Sequence, residues 1–400
     1  MELTLLGTGA PLGLPRPDCP CAVCATARGP QARAATALLV DGALLLDLTP
    51  GAALAAARSG HSLVGVRQVL LTHPHDGPAV EVPAGLPAAG RVPDGRELTL
   101  ISGHRVRALP MDSPGTGYEV ISPDGERLLY LPPGGAPAGL PDAHRTPYDM
   151  VVLDVTGRPD ALARLRATGA VGASTDVVAA HLDHDVPGGA ELDRRLAAAG
   201  ARAVPDGTTL YVGEYHAVTD VPRRTLVTGG ARSGKSVEAE RRLETFPEVL
   251  YVATGGTREG DREWAQRVSL HRDRRPGSWR TAETCDLVPL LGSDGPALLI
   301  DCLSLWLTDA MDRAGAWDDE RWAHGGQEEL RERTAELVAA VRATSRTVVA
   351  VTNEVGSGVV PATASGRRFR DELGRLNAAF GDECEQVLLV VSGQALVLRG

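Results

Sequence analysis

Lysine is nearly missing from this chain of 400 residues: of 41 lysines and arginines only one, Lys235, is lysine, and the other fixed cations are guanidiniums. Asparagine is almost as scarce, confined to Asn353 and Asn377, and aromatic residues make up 4% of the chain. The formal charge of −10 leaves no chain-wide basic field, so nucleic acid is not an expected partner and any phosphate site must be locally positive. No run of about 18 apolar residues occurs, which excludes an expected membrane-spanning helix. The start, Met1-Glu2-Leu3-Thr4-Leu5-Leu6, lacks the positive segment of a secretory leader, and a soluble cytoplasmic protein is expected. The six cysteines do not suggest a disulfide framework, because Cys19, Cys21 and Cys24 crowd one loop and the others are scattered. The length suggests about two or three domains.

The lone lysine lies in Gly229-Gly230-Ala231-Arg232-Ser233-Gly234-Lys235-Ser236, between the apolar run Thr225 to Thr228 and a helix-forming segment, Val237 to Leu243. Strand, glycine loop and helix in that order fit the GxxxxGKS phosphate-binding loop, whose backbone N–H groups and positive helix end surround a nucleotide's phosphates. A compact ammonium at Lys235 suits the β/γ-phosphates better than a planar guanidinium, and the Ser236 hydroxyl can hold Mg²⁺. From there, apolar strands at Thr225 to Thr228, Val249 to Ala253, Ala297 to Ile300, Thr347 to Val351 and Val387 to Val391 alternate with helical stretches. The helices are expected at Val237 to Leu243, Asp261 to Arg272, Cys302 to Ala310, Glu328 to Arg342 and Arg367 to Phe380. In the last, Phe369, Leu373, Leu376 and Phe380 share one face. Such alternation predicts a mainly parallel sheet with helices on both faces and its chemistry at the strand C-terminal ends. There Asp301 has the place of a Walker-B aspartate for Mg²⁺, or of an N-cap for the helix from Cys302. Asn353 and Glu354 form another polar cluster at a strand end. His271 stands beside Arg272, Arg274 and Arg275, either as a nucleophile toward phosphorus among charge-stabilising guanidiniums or as part of a solvated basic helix end.

The first half reads as mixed strands and helices. Strands are expected at Leu3 to Leu6, Ala43 to Leu46, Val66 to Leu71, Glu97 to Ile101, Arg127 to Leu131, Met150 to Val155 and Thr209 to Val212, with helices at Gly51 to Arg58, Asp160 to Ala167 and Ala190 to Ala199. The loop Cys19-Pro20-Cys21-Ala22-Val23-Cys24 supplies three thiolates to one tetrahedral Zn²⁺, completed by His184 or another distant histidine; free buried thiols are the competing reading. Further histidines occur in Thr72-His73-Pro74-His75-Asp76 and His181-Leu182-Asp183-His184. A polar passage with Pro222 places the boundary near residue 220, between domains at 1–218 and 223–400.

With Leu6-Gly7-Thr8-Gly9, the cysteine cluster, Leu46-Asp47, Thr72-His73-Pro74-His75 and His181-Leu182-Asp183-His184, the first half resembles the metallo-β-lactamase-like hydrolases, in particular the branch that cleaves cyclic phosphodiesters of phosphoribose. The resemblance implies an αββα sandwich, His184 as the structural-zinc histidine and His181 as an active-site histidine. Three departures stand against activity. Asp76-Gly77-Pro78 breaks the HxHxDH pattern, Asp112 stands where the family usually has histidine, and Pro132 stands where a bridging aspartate is expected. Without those ligands a dinuclear site cannot hold its bridging hydroxide, so a degenerate hydrolase domain is expected, with a weak single-metal site at His73, His75 and His181 as the alternative.

The second half, about 223–400, resembles the bifunctional adenosylcobinamide kinase/adenosylcobinamide-phosphate guanylyltransferase family. The features are Leu226 to Ser236, Leu250-Tyr251-Val252-Ala253-Thr254, His271 to Pro276 with Trp279 to Glu283, Val351 to Gly356 and Phe369-Arg370-Asp371, in the same order. The resemblance implies a P-loop α/β domain that phosphorylates adenosylcobinamide with ATP or GTP. It then implies transfer of GMP from GTP to adenosylcobinamide phosphate through a GMP adduct of His271, in cobalamin assembly. It further implies that the loop, Ala253, Thr254, Gly255, Arg272, Asp273, Arg274, Arg275, Glu283 and Asp301 contact the nucleotide or its Mg²⁺, and that the protein is a homotrimer. Gly255 replaces a serine often found there, so its contact is through backbone only. An active metal-dependent phosphodiesterase fused to another P-loop kinase is the competing function.

Overall fold

The computed structural model of the protein describes residues 1–73, 82–139, 146–214, 216, 221–256, 266 and 275–400. It comprises two units, Met1–Val221 and Pro222–Gly400.

In the first unit two sheets of six strands lie face to face. One runs Thr208–Tyr211, Glu2–Gly7, Ala37–Val40, Leu44–Leu46, Gln68–Leu70, Ala89–Gly90, and the other Asp176–Ala179, Met150–Leu153, Arg127–Tyr130, Thr116–Ile121, Arg105–Pro110, Glu97–Thr99. Strand alternation sends every second side chain inward, so Leu3, Leu5, Leu38, Val40 and Leu46 meet Val106, Tyr118, Val120, Leu128 and Val152 between the sheets. The outward residues are covered by helices. Leu6, Leu39 and Val69 pack on Ala52 and Ala56 of the helix Ala52–Arg58. Leu129, Val151 and Val177 pack on Leu162, Leu165, Leu192 and Leu196 of the helices Pro159–Ala167 and Ala190–Ala198. This is the αββα sandwich that the resemblance implies.

The second unit is a seven-stranded sheet in the order Arg280–Glu283, Val249–Ala253, Ala297–Asp301, Val348–Asn353, Arg224–Gly229, Gln386–Val391, Gln394–Arg399. Its strands are parallel except the last, which closes an antiparallel hairpin. On one face Leu226, Leu298, Ile300, Val348 and Ala350 pack on Trp306, Leu337, Leu373, Leu376 and Phe380 from the helices Leu303–Arg313, Gln327–Ala343 and Ala364–Asp382. On the other, Val227, Tyr251, Leu299, Val349 and Leu388 meet Ala239 and Leu243, the former on the helix Lys235–Arg241. Leu373, Leu376 and Phe380 are buried and Phe369 partly so, as the single-face spacing predicts.

Strands at Ala37–Val40, Arg105–Pro110, Thr116–Ile121, Asp176–Ala179, Arg280–Glu283 and Gln394–Arg399 and the helix Leu287–Gly292 are additions to the sequence reading. The helix expected at Asp261 to Arg272 lies outside the described residues apart from Gln266.

All five tryptophans lie in the second half of the chain, so tryptophan fluorescence reports on that unit alone. Phe380→Ala is expected to destabilise it by about 3–5 kcal/mol, seen as a lower urea midpoint in tryptophan fluorescence.

Candidate functional site

The phosphate loop forms where the strand Arg224–Gly229 leaves the sheet between its two neighbours and turns into the helix Lys235–Arg241. Gly229 has no room for a side chain: a Cβ there would lie 2.5 Å from the Val390 carbonyl oxygen and 2.6 Å from Ser233 Oγ. Gly234, the residue before the helix, has φ +101°, a conformation that favours glycine. Arg232 also has positive φ, at 59°. Lys235 is 8% exposed, and its Nζ donates to the Gly230 carbonyl at 3.2 Å, so the side chain folds back over the loop. Ser236 follows on the first turn, half-buried, and Gly230, Ala231 and Arg232 are exposed.

Register brings the other strand ends alongside. Ala253 pairs with Glu283 on one side and Asp301 on the other, Asp301 pairs with Val351, and Gly229 pairs with Asn353. Asp301 is half-buried, and among the described residues its carboxylate receives one side-chain hydrogen bond, from Tyr251 Oη to Oδ2 at 2.8 Å. The helix Leu303–Arg313 begins at Cys302 without a side-chain cap, so Asp301 is not serving as its N-cap. The Cys302 thiol is raised by burial and then by Asp301, and the Lys235 ammonium acts on it in the opposite sense, which sets Lys235 near this end of the sheet. A carboxylate oxygen at a strand end and a hydroxyl at the start of the loop helix are the hard donors that Mg²⁺ takes.

Thr254 and Gly255 continue from the same strand; Thr254 Oγ1 donates to the Cys302 carbonyl and accepts from the Cys302 N–H. Glu283 is exposed. Arg275 turns inward: its guanidinium carbon sits 3.2 Å from the centroid of the Tyr251 ring, and its Nε lies 4.0 Å from Glu240 Oε1. His271, Arg272, Asp273 and Arg274 lie outside the described residues. The two asparagines of the chain meet each other, because Asn377 Nδ2 donates to the Asn353 carbonyl and Asn353 Nδ2 donates to Ser304 Oγ. Tyr251 is the group that sequence reading passed over. Its place follows from register: Tyr251 and Ala253 share a strand face and Ala253 pairs with Asp301, which makes Tyr251 a diagonal neighbour of that carboxylate.

In the first unit His184 Nδ1 lies 3.2, 3.6 and 3.5 Å from the sulfurs of Cys19, Cys21 and Cys24. The four ligand atoms all fall within 4.8 Å of one another, which suits a tetrahedral Cys₃His zinc site. The short helix Ala22–Thr26 supports the cluster: the Cys24 N–H donates to the Cys21 sulfur, and this is the main reason the Cys21 thiol titrates lower, at about 7. Arg16 pairs with Asp183, beside His184, and its N–H donates to the Cys24 sulfur.

The other histidines have different surroundings. His181 is 4% exposed with φ 57°, its Nε2 sits 3.0 Å from the Leu131 carbonyl, and its ring stacks on Tyr130. Burial lowers its pKa to about 4. Asp47 accepts from the Thr72 N–H, the Thr72 hydroxyl and the Tyr130 hydroxyl, each at 2.7 Å. Asp112 is held by Arg158 and Arg164 at 2.8 and 2.9 Å. His73 lies 3.7 Å from Asp47, and His75 is outside the described residues. Among the described residues the Cys₃His group is the one cluster of three or more potential ligands.

Residues 225–398 match the family model described as cobinamide kinase / cobinamide phosphate guanyltransferase. The chain is 40% identical over 185 residues to the bifunctional adenosylcobalamin biosynthesis protein CobU of Salmonella typhimurium, covering 44% of this chain and 98% of that protein. It is 41% identical over 182 residues to the bifunctional adenosylcobalamin biosynthesis protein CobP of Pseudomonas aeruginosa, with 44% and 98% covered. A solved diphosphatase from the PhnP family aligns at 20% identity with a TM-score of 0.39, covering 55% of this chain and 99% of its own.

The wild-type protein is expected to carry one zinc through dialysis against a weak chelator, and Cys24→Ser to lose it, as read by elemental analysis; equal zinc in both proteins would dismiss the cluster as a site. For His181 the folded pKa of about 4 lies below the ordinary 6.5, so the unfolded chain binds more protons between those values and stability falls as pH drops through that window. The contribution is about 3 kcal/mol. Faster amide exchange in the strand Asp176–Ala179 at pH 4.5 than at pH 7, after correction for intrinsic rates, is expected in the wild type and should be blunted in His181→Gln.

Proposed function

Through residues 225–398 the chain belongs to the cobinamide kinase / cobinamide phosphate guanyltransferase family, and from that premise we propose that it phosphorylates adenosylcobinamide and then transfers GMP from GTP to the product. The observation that carries this reading is the buried Lys235 at the head of the loop helix, on the same sheet edge as Asp301. Backbone N–H groups of Gly230 to Ser236 and the Lys235 ammonium grip the triphosphate. Ser236 and Asp301 would hold Mg²⁺, which would supply charge neutralisation on the phosphates. In the first reaction the aminopropanol hydroxyl of adenosylcobinamide attacks the terminal phosphorus of ATP or GTP, the bond to the bridging β,γ-oxygen breaks so that ADP or GDP leaves, and the hydroxyl proton is released to solvent. In the second, His271 attacks the α-phosphorus of GTP, pyrophosphate leaves, and the phosphate of adenosylcobinamide phosphate displaces the histidine. Arg272 and Arg274, beside His271, offset charge on the attacked phosphate, whereas Arg275, expected at the nucleotide, is turned inward onto Tyr251 and Glu240.

The first unit, in this reading, is a hydrolase fold that no longer hydrolyses. Asp112 is committed to Arg158 and Arg164, Pro132 offers no ligand, and Tyr130 occupies the Asp47 carboxylate. A zinc held by Cys19, Cys21, Cys24 and His184 would staple the N-terminal loop to the turn that follows the strand Asp176–Ala179.

GTP labelled on the α-phosphate is expected to give an acid-labile covalent adduct on the intact protein, and His271→Ala to abolish it. A label that survives in His271→Ala, or no label in the wild type, rejects the histidine intermediate. Lys235→Ala is expected to lower both the kinase and the transferase reactions by about 100-fold or more, while His271→Ala spares the kinase.

A further inference from the structure

Asp301 is not left to orient itself. Of the strand Val249–Ala253, Tyr251 alone carries a hydroxyl, and it donates to Asp301 Oδ2 at 2.8 Å from a ring that is 5% exposed. The ring is fixed in turn: the guanidinium of Arg275 lies over its face, 3.2 Å from the centroid. Arg275 is held by Glu240, 4.0 Å away on the loop helix, and both side chains are 7% exposed. A chain of contacts therefore runs from the loop helix through Arg275 and Tyr251 to the carboxylate at the end of the next strand.

We propose that Tyr251 is a positioning residue for phosphoryl transfer, whose hydroxyl fixes the Asp301 carboxylate by occupying Oδ2 and leaves Oδ1 as its acceptor toward the metal–nucleotide complex, with Arg275 clamping the ring. The inference rests on the kinase reading given above. Its physical basis is that a carboxylate at a strand end can rotate about χ2, and one charge-assisted hydrogen bond from a buried donor restricts it to one orientation. A phenylalanine would keep the ring beneath Arg275 and delete only the donor.

The test compares wild type with Tyr251→Phe in the full-length protein, using Mn²⁺ in place of Mg²⁺ and β,γ-imido-GTP as the nucleotide. Free Mn²⁺ is counted by electron paramagnetic resonance and nucleotide binding is measured by calorimetry. In Tyr251→Phe, Mn²⁺ affinity in the ternary complex is expected to fall about ten-fold, with nucleotide affinity in the absence of metal unchanged within about two-fold. Kinase turnover is expected to fall by a similar factor, with the KM for GTP held. Equal Mn²⁺ affinity in the two proteins overturns the positioning role and leaves the kinase reading standing. A parallel loss of metal-free nucleotide affinity also overturns it, because that is the mark of a disturbed fold. If the wild type takes up no Mn²⁺ with the nucleotide, the kinase reading itself fails and the role of Tyr251 fails with it.

Discussion

The phosphate loop depends on how tightly neighbouring strand ends close around it. Val390 carries its carbonyl oxygen into the space that a Gly229 side chain would need, and the Gly393 N–H donates to the Ser233 carbonyl at 2.8 Å. From the other side the Glu354 N–H donates to the Gly229 carbonyl at 3.0 Å. A loop that must present its own N–H groups to a ligand cannot spend them all on itself, so it is braced through its carbonyls by the adjacent strands. The hairpin turn at Ser392 and Gly393, both with positive φ, is thus part of the loop's support although it lies more than 150 residues away in sequence.

That bracing sets the electrostatics. Lys235, Glu238, Glu240 and Arg242 are all less than 9% exposed, so the helix behind the loop carries four buried ionisable groups within two turns. Buried charges persist only when paired, and here Glu238 faces Arg242 at 3.6 Å and Glu240 faces Arg275 at 4.0 Å. The guanidiniums pair with acids behind the loop, while the chain's lone ammonium folds over the loop itself. The difference follows from shape: a planar fork suits carboxylates and aromatic faces, as Arg275 over Tyr251 illustrates, and a compact ammonium fits a ring of carbonyls and phosphate oxygens.

Much of this was legible in the sequence where the signal is local. The loop announces itself through glycine spacing and one lysine, and the core strands through uninterrupted apolar runs. Of the missed strands, Ala37–Val40, Asp176–Ala179 and Gln394–Arg399 do contain short apolar runs, and others lack them for physical reasons. Arg105–Pro110 alternates exposed arginines with buried Val106 and Ala108, and Thr116–Ile121 carries a glycine and a buried glutamate. Arg280–Glu283 and Gln394–Arg399 are edge strands whose side chains are mostly solvent-facing, so polar or mixed composition costs them little. The meeting of Asn353 with Asn377, and of Tyr251 with Asp301, depends on register between distant segments, which no local pattern encodes.

In the first unit the contrast between two sets of ligands is informative. Cys19, Cys21, Cys24 and His184 keep their four ligand atoms within 4.8 Å of one another, an arrangement that suits a tetrahedral metal site. Those of the positions assigned by the resemblance to a catalytic pair of ions that are described are hydrogen-bonded within the protein. The Asp47 carboxylate takes three protein hydrogen bonds, His181 is buried and inclined to stay neutral against a carbonyl, and Asp112 serves two arginines. A carboxylate already satisfied by Thr72 and Tyr130 must lose those bonds to bind an ion, and the buried Tyr130 hydroxyl would then be left without its acceptor. In the reading proposed above, the Cys₃His group closes the N-terminal loop onto the segment that follows the strand Asp176–Ala179.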